Sequence, residues 1–154
     1  EKPPKFLSGG GGLVSTAADY MRFCLMLAGE GEFVGNRLLK AETVRMMTRN
    51  QLPEGVGEIT RAPEGRGFGL GFAVRTREID VAPQGEYEWL GGLGTEFFIS
   101  PADQLVVITL SNQSPMQQLK RAVRPVVYAA LDVAEKQSTL REREGERRRY
   151  LVLD

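Results

Sequence analysis

Catalysis by this chain would need a nucleophile with its own proton acceptor, and the sequence is sparing with both. It has no histidine, so a Ser-His-Asp triad, a Cys-His pair and the histidine-ligated zinc sites cannot be assembled from it. A serine could instead be activated by lysine, tyrosine or a carboxylate. Of Ser8, Ser15, Ser100, Ser111, Ser114 and Ser138, none has lysine three positions on, and none lies in Gly-x-Ser-x-Gly. Tyr20, Tyr87, Tyr128 and Tyr150 lack Asn or Ser two positions on. Acidic residues are abundant, but no pair stands out by spacing. Cys24 is the single cysteine. It can form no internal disulfide, and its apolar, helically spaced neighbours make it a packing residue.

One stretch carries chemical potential. "WLGGLGT" (89–95) sets the only tryptophan beside three glycines, between two strand-like segments. Glycines at a strand end leave backbone N–H groups bare, and such groups can donate to a ligand or an oxyanion. The same residues also read as a plain hairpin whose glycines relieve twist, with Trp89 in the core.

The elements that would position this stretch follow from pattern. Pro3-Pro4 and the run Gly9–Gly12 make an extended lead and a loop. Thr16 with Asp19 starts a helix; Ala17, Tyr20, Phe23, Cys24 and Leu27 share a face, and Gly29 and Gly31 end it. Residues 38–50 read as a shorter helix with Val44 and Met47 inward. Residues 51–66 read as a loop. "GFGLGFAV" (67–74) alternates as one strand, with Phe68, Leu70, Phe72 and Val74 on one side and a bare glycine face opposite. Strands follow at 86–90 and 95–100. "LVVITL" (105–110) is nearly all apolar and reads as a central strand covered on both faces. Ser114-Pro115 opens a last helix, with Met116, Leu119, Val123, Val126, Val127, Ala130, Leu131 and Ala134 on one face and Pro125 as a kink or restart. The arrangement predicts an α+β fold, an antiparallel β-sheet flanked by helices. Residues 135–154 read as a charged C-terminal tail, its charged run a solvated helix or disordered, with contact to an acidic partner as the remaining alternative.

Composition bounds the function. The 154 residues make one domain, with 42% apolar residues and a formal net charge of zero. Nothing points to nucleic acid. The apolar runs fall short of the roughly 20 residues of a membrane span. The chain opens Glu-Lys-Pro-Pro without methionine, so its true start is expected upstream.

Five blocks occur here in one order: "SGGGGLVSTAADYMRF" (8–23), "LLKAETVRMM" (38–47), "GFGLGFAV" (67–74), "WLGGLGTEFFISP" (89–101) and "LVVITLSNQSP" (105–115). Together they resemble the C-terminal half of the serine β-lactamase-like family, which includes class C β-lactamases, penicillin-binding proteins and family VIII carboxylesterases. The esterase-like branch, with its Trp-Gly-Gly third motif, is the most similar. The resemblance implies that residues 1–134 are the C-terminal part of a β-lactamase/transpeptidase-like fold. It implies a serine hydrolase acting through an acyl-enzyme, without metal or cofactor. The Ser-x-x-Lys and Tyr-x-Asn/Ser elements would lie upstream, so the N-terminal half carrying the nucleophile becomes the implied partner. Trp89-Leu90-Gly91 occupies the third motif, and Gly92 becomes the oxyanion donor; a shift of one residue would move that role to Leu93. Leu90 departs from Thr or Gly at the motif's middle position. A leucine cannot contact a substrate carboxylate, which favours a small-molecule ester or amide with an apolar group. Asn112 matches a substrate-contacting asparagine of class C enzymes, or simply ends a strand. The Gly9–Gly12 loop reads as scaffold or pocket lining. Two other expectations stand beside the hydrolase. One is a catalytically inactive relative that binds or regulates, and the other is a homo-oligomer that covers an exposed half-sheet.

Overall fold

A computed structural model describes residues 13–54, 56, 65–112, 117–138 and 149–153. The Gly9–Gly12 loop, the Ser114-Pro115 helix start, residues 139–148 and most of the loop before residue 65 lie outside the described residues. Side chains of the last helix are described from residue 122 to 132, and those of the last strand are not.

Helix α1 spans Ala17–Ala28. Thr16 caps it: its extended backbone turns the chain inward and its Oγ1 accepts the Asp19 N–H at 3.1 Å. The far end closes with the Gly31 N–H on the Met26 carbonyl (2.8 Å) and the Glu30 N–H on Leu27 (3.0 Å). Glu30 takes the left-handed φ of 51°, so this is a Schellman closure with a non-glycine at its turning residue. A two-residue hairpin follows, β1 (Glu32–Phe33) on β2 (Asn36–Arg37), and then α2 (Ala41–Met47) with Val44 buried.

Six strands form the main sheet: β3 (Arg66–Phe68), β4 (Ala73–Arg75), β5 (Tyr87–Leu90), β6 (Glu96–Ser100), β7 (Leu105–Thr109) and β8 (Arg149–Leu153), adjacent in that order. From β3 to β7 the sheet is antiparallel, and β8 joins β7 in parallel. Helix α3 runs Gln117–Ser138 and continues through Pro125.

The sheet is the middle layer. On one face Cys24 and Leu27 of α1 pack with Val44, Phe72, Tyr87, Phe97, Ile99, Val106 and Ile108. On the other, Val127 and Tyr128 of α3 pack with Phe98, Leu105 and Val107. Strand β7 feeds both cores, as its apolar run Leu105–Ile108 requires. Each of its buried aliphatic side chains contributes roughly 1.5–3 kcal/mol of transfer free energy.

Four details differ from expectation. "GFGLGFAV" is a hairpin, not one strand: β3 and β4 pair with Phe68 opposite Ala73. The reversal centres on Gly71, whose φ of 97° suits glycine. Gly69 lies so near α2 that a Cβ would sit 2.0 Å from the Met47 carbonyl oxygen. Residues 149–153, at the end of the expected tail, form β8 beside β7, while residues 135–138 continue α3, within the helical alternative. Val126 points outward, 69% exposed, because α3 turns Val127 and Tyr128 to the sheet instead. Tyr20 and Phe23 are only partly covered, their rings leaning on Phe97 at 5.4 and 6.5 Å. Among the described residues no helix is long and apolar enough to cross a membrane.

Candidate active-site wall

Residues 89–95 join β5 to β6. Leu90 pairs with Glu96, and the Gly91 N–H donates to the Thr95 carbonyl at 2.7 Å, closing the ladder. Gly92, Leu93 and Gly94 then make a three-residue loop. The Gly94 N–H turns back to the Gly91 carbonyl (3.3 Å), and Gly94 has a φ of 90°. A three-residue hairpin loop commonly pairs a type I turn with a left-handed third residue, and Gly94 fills that third place.

The three glycines therefore have different reasons. Gly94 supplies the positive φ. Gly91 supplies space, because a Cβ there would lie 1.9 Å from Thr95 Oγ1. Gly92 has no positive φ, and a Cβ on it would meet nothing within 4 Å. Among the described residues no backbone carbonyl accepts the Gly92 N–H.

Trp89 is not a core residue. It is 48% exposed and stands edge-on to Phe68, ring centroids 5.2 Å apart. With Leu90 and Gly91 it lines a cavity of about 540 Å³. Helix α1 supplies the facing wall through Thr16 and Tyr20, while Phe97, Ile108 and Leu110 contribute apolar surface from the sheet. Gly92, at the turn, and Asn112, exposed beyond β7, are not among the residues lining it.

Tyr20 was not singled out for chemistry from sequence. Its spacing marked only the inner side of α1, and its place beside Trp89 in the cavity lining depends on how that helix crosses the sheet. Burial, with Cys24 adding to it, raises the Tyr20 phenol above its ordinary value. The hydroxyl thus stays protonated and offers a hydrogen bond rather than a base. Cys24 itself is buried, and burial pushes its thiol up to about 12. Ser111, at the end of β7, donates its hydroxyl to the Gly94 carbonyl at 3.0 Å and ties the turn down.

Behind β5 and β6 lies a charged cluster that spacing did not mark. The Arg124 guanidinium binds Glu86, Glu88 (2.5 Å) and Glu96 (2.6 Å). Arg75 also reaches Glu86 (2.8 Å), Arg66 reaches Glu88 (3.1 Å), and the Tyr128 hydroxyl donates to Glu86 at 2.7 Å. Three carboxylates thus face three guanidinium groups. Burial alone would lower the Arg124 pKa, but Glu86, Glu88 and Glu96 outweigh it and hold it above the ordinary value. Among the described residues no group of three or more His, Cys, Asp and Glu is placed to hold a metal ion.

The sequence matches the Beta-lactamase family over residues 1–132. Protein Rv1367c of Mycobacterium tuberculosis strain H37Rv is 37% identical over 123 residues, 73% of this chain. The uncharacterized protein MT1414 of strain CDC 1551 matches to the same extent. The chain spans 31% of the length of each relative. Among solved structures, a mutant of simvastatin synthase (LovD) from Aspergillus terreus superposes with a TM-score of 0.60 at 21% identity, over 77% of this chain and 35% of that one. Unliganded LovD gives 0.55 at 20% identity, over 72% and 33%. At these identities the likeness is one of fold. With the family match over most of the length, this chain belongs to the Beta-lactamase family, whose fold serves serine hydrolases and acyltransferases.

Proposed function

We propose that this chain is the C-terminal part of a serine hydrolase of esterase or amidase type, acting through an acyl-enzyme. Its share of the site is one wall, made by Trp89, Leu90 and Gly91, and one oxyanion donor, the Gly92 N–H. The nucleophile and its proton carriers come from the part of the protein upstream of residue 1. The observation that carries this reading is the accounting at the hairpin: the turn needs Gly91 and Gly94, whereas Gly92 has open space and an N–H that the hairpin leaves unused. A donor of that kind stabilises charge on the carbonyl oxygen as a serine attacks, and no side chain crowds it. The lining of Trp89, Leu90, Phe97 and Leu110 favours a substrate with an apolar group next to the scissile bond.

The test uses the complete protein and p-nitrophenyl esters of increasing acyl length. Turnover with a burst of p-nitrophenol is expected, and the 154-residue chain alone should show none. Turnover by the isolated chain would sink the assignment of roles. A complete protein that binds esters without cleaving them would replace the hydrolase with a binding function.

A further inference from the structure

The hairpin has a second face. Glu88 flanks Trp89 on β5, and Glu96 sits opposite Leu90 on β6. Both carboxylates point to one guanidinium nitrogen, Nη2 of Arg124 on α3, at 2.5 and 2.6 Å, while Nη1 binds Glu86 at the start of β5. The arginine is 6% exposed and lies over the Phe98 ring, 4.2 Å from its centroid. Phe98 pairs with Glu88 across the two strands.

We propose that Arg124 is a positioning residue, which clamps β5 to β6 and so fixes Trp89 on the opposite face of the sheet, with Glu96 linking the cluster to the edge of the cavity. Its effect on catalysis rests on the function proposed above; its grip on the hairpin does not. A hydrophobic side chain could have filled this site, and replacing buried ion pairs by apolar groups is often neutral for stability. An ion cluster instead sets register, because a planar fork with fixed donor directions accepts one placement of three carboxylates. Only one arrangement of helix and strands satisfies Glu86, Glu88 and Glu96 together. Slippage of β5 on β6 by one residue would turn Glu88 or Glu96 to the other face and leave it unpaired. The hairpin's tip has a lighter tie in the Ser111 hydroxyl on Gly94, so the arginine holds the base of the same loop.

Two variants of the complete protein test this. Arg124→Lys keeps the charge but loses the fork. Glu96→Gln keeps the shape and removes one charge. Hydrogen–deuterium exchange is read on peptides covering 86–97 and, as a reference, 17–28 in α1. Ester hydrolysis is read as kcat and KM separately. For Arg124→Lys we expect faster exchange in 86–97 with α1 unchanged, and kcat lowered by about ten- to a hundredfold with KM little altered. Glu96→Gln should move both in the same direction, by less. A purely structural arginine would lower the melting temperature and leave native-state exchange at 86–97 and kcat alone. That result in a folded variant overturns the proposal. If Arg124→Lys does not fold, Glu96→Gln decides by exchange at 86–97, because Glu96 also lines the cavity and its kcat reports both roles. If the wild-type protein cleaves no ester, the hydrolase reading has failed, and exchange at 86–97 still decides whether Arg124 holds the hairpin.

Discussion

Replacing Gly92 with proline would remove one N–H while asking little of the fold. Gly92 is the second residue of the turn from Gly91 to Gly94, closed by the 3.3 Å bond between the Gly94 N–H and the Gly91 carbonyl. Proline is favoured at that position of a type I turn. Gly92 has no positive φ, and the space where its Cβ would stand is empty to 4 Å. Gly→Pro at a compatible site restricts the unfolded chain and stabilises by about 0.4–1 kcal/mol. At about 2–4 °C per kcal/mol for a chain of this size, the melting temperature should stay level or rise by a few degrees. Loss of one oxyanion donor costs about 2.7–4 kcal/mol, a factor of roughly 10²–10³ in kcat. Gly92→Ala is the control. It keeps the N–H, and stability should change by no more than about 0.5 kcal/mol. The assay is steady-state ester hydrolysis by the complete protein beside thermal unfolding. We expect Gly92→Pro to lose kcat by that factor with KM little changed, because the contact forms only as the oxyanion develops. A folded Gly92→Pro with the kcat of Gly92→Ala would refute the assignment and return the donor to Leu93, the shifted reading of the motif.

Gly91→Ala should behave oppositely, destabilising the fold by about 1–3 kcal/mol through overpacking against Thr95. The would-be Cβ lies 1.9 Å from Thr95 Oγ1, so adding Thr95→Ala should recover most of the loss in a double-mutant cycle by urea unfolding. Cys24, with its thiol pushed up to about 12 by burial, should resist an aromatic disulfide reagent at neutral pH and react fully once the chain is unfolded in denaturant. Tyr20, Tyr87 and Tyr128 are all raised from 10.0, each by burial first. A phenol whose folded pKa lies above its unfolded one gives its full stabilisation below the unfolded value and loses it as pH rises towards the folded value. Thermal stability should therefore fall once pH passes about 10, with tyrosinate absorbance lagging behind that of the unfolded chain. Equal titration curves for folded and unfolded protein would refute the burial argument.

How much of this was legible in the sequence depends on the range of the interaction that decides it. The Thr16–Asp19 cap is a contact three residues long, and it formed as read. The run Leu105–Ile108 announced cover on both faces because four apolar residues follow one another without alternation. "GFGLGFAV" misled because period-two alternation describes two short hairpin arms as well as one strand. What separates them is the φ of Gly71 and the approach of the Met47 carbonyl to Gly69, and neither is encoded in spacing. The Arg124 cluster shows the limit more sharply. Glu86 and Glu88, two apart, could be read as sharing a strand face. Their partner lies 38 and 36 positions away, and only the docking of α3 selects it. Tyr20 reaches the cavity for the same reason, since α1 must first cross the sheet. At the hairpin the sequence told most, and the structure divides what it told. Three glycines looked alike in "WLGGLGT". Backbone geometry needs Gly94 and sterics need Gly91, which removes both from the functional argument. Gly92 is left without a structural reason, so it is the one whose replacement tests chemistry apart from folding.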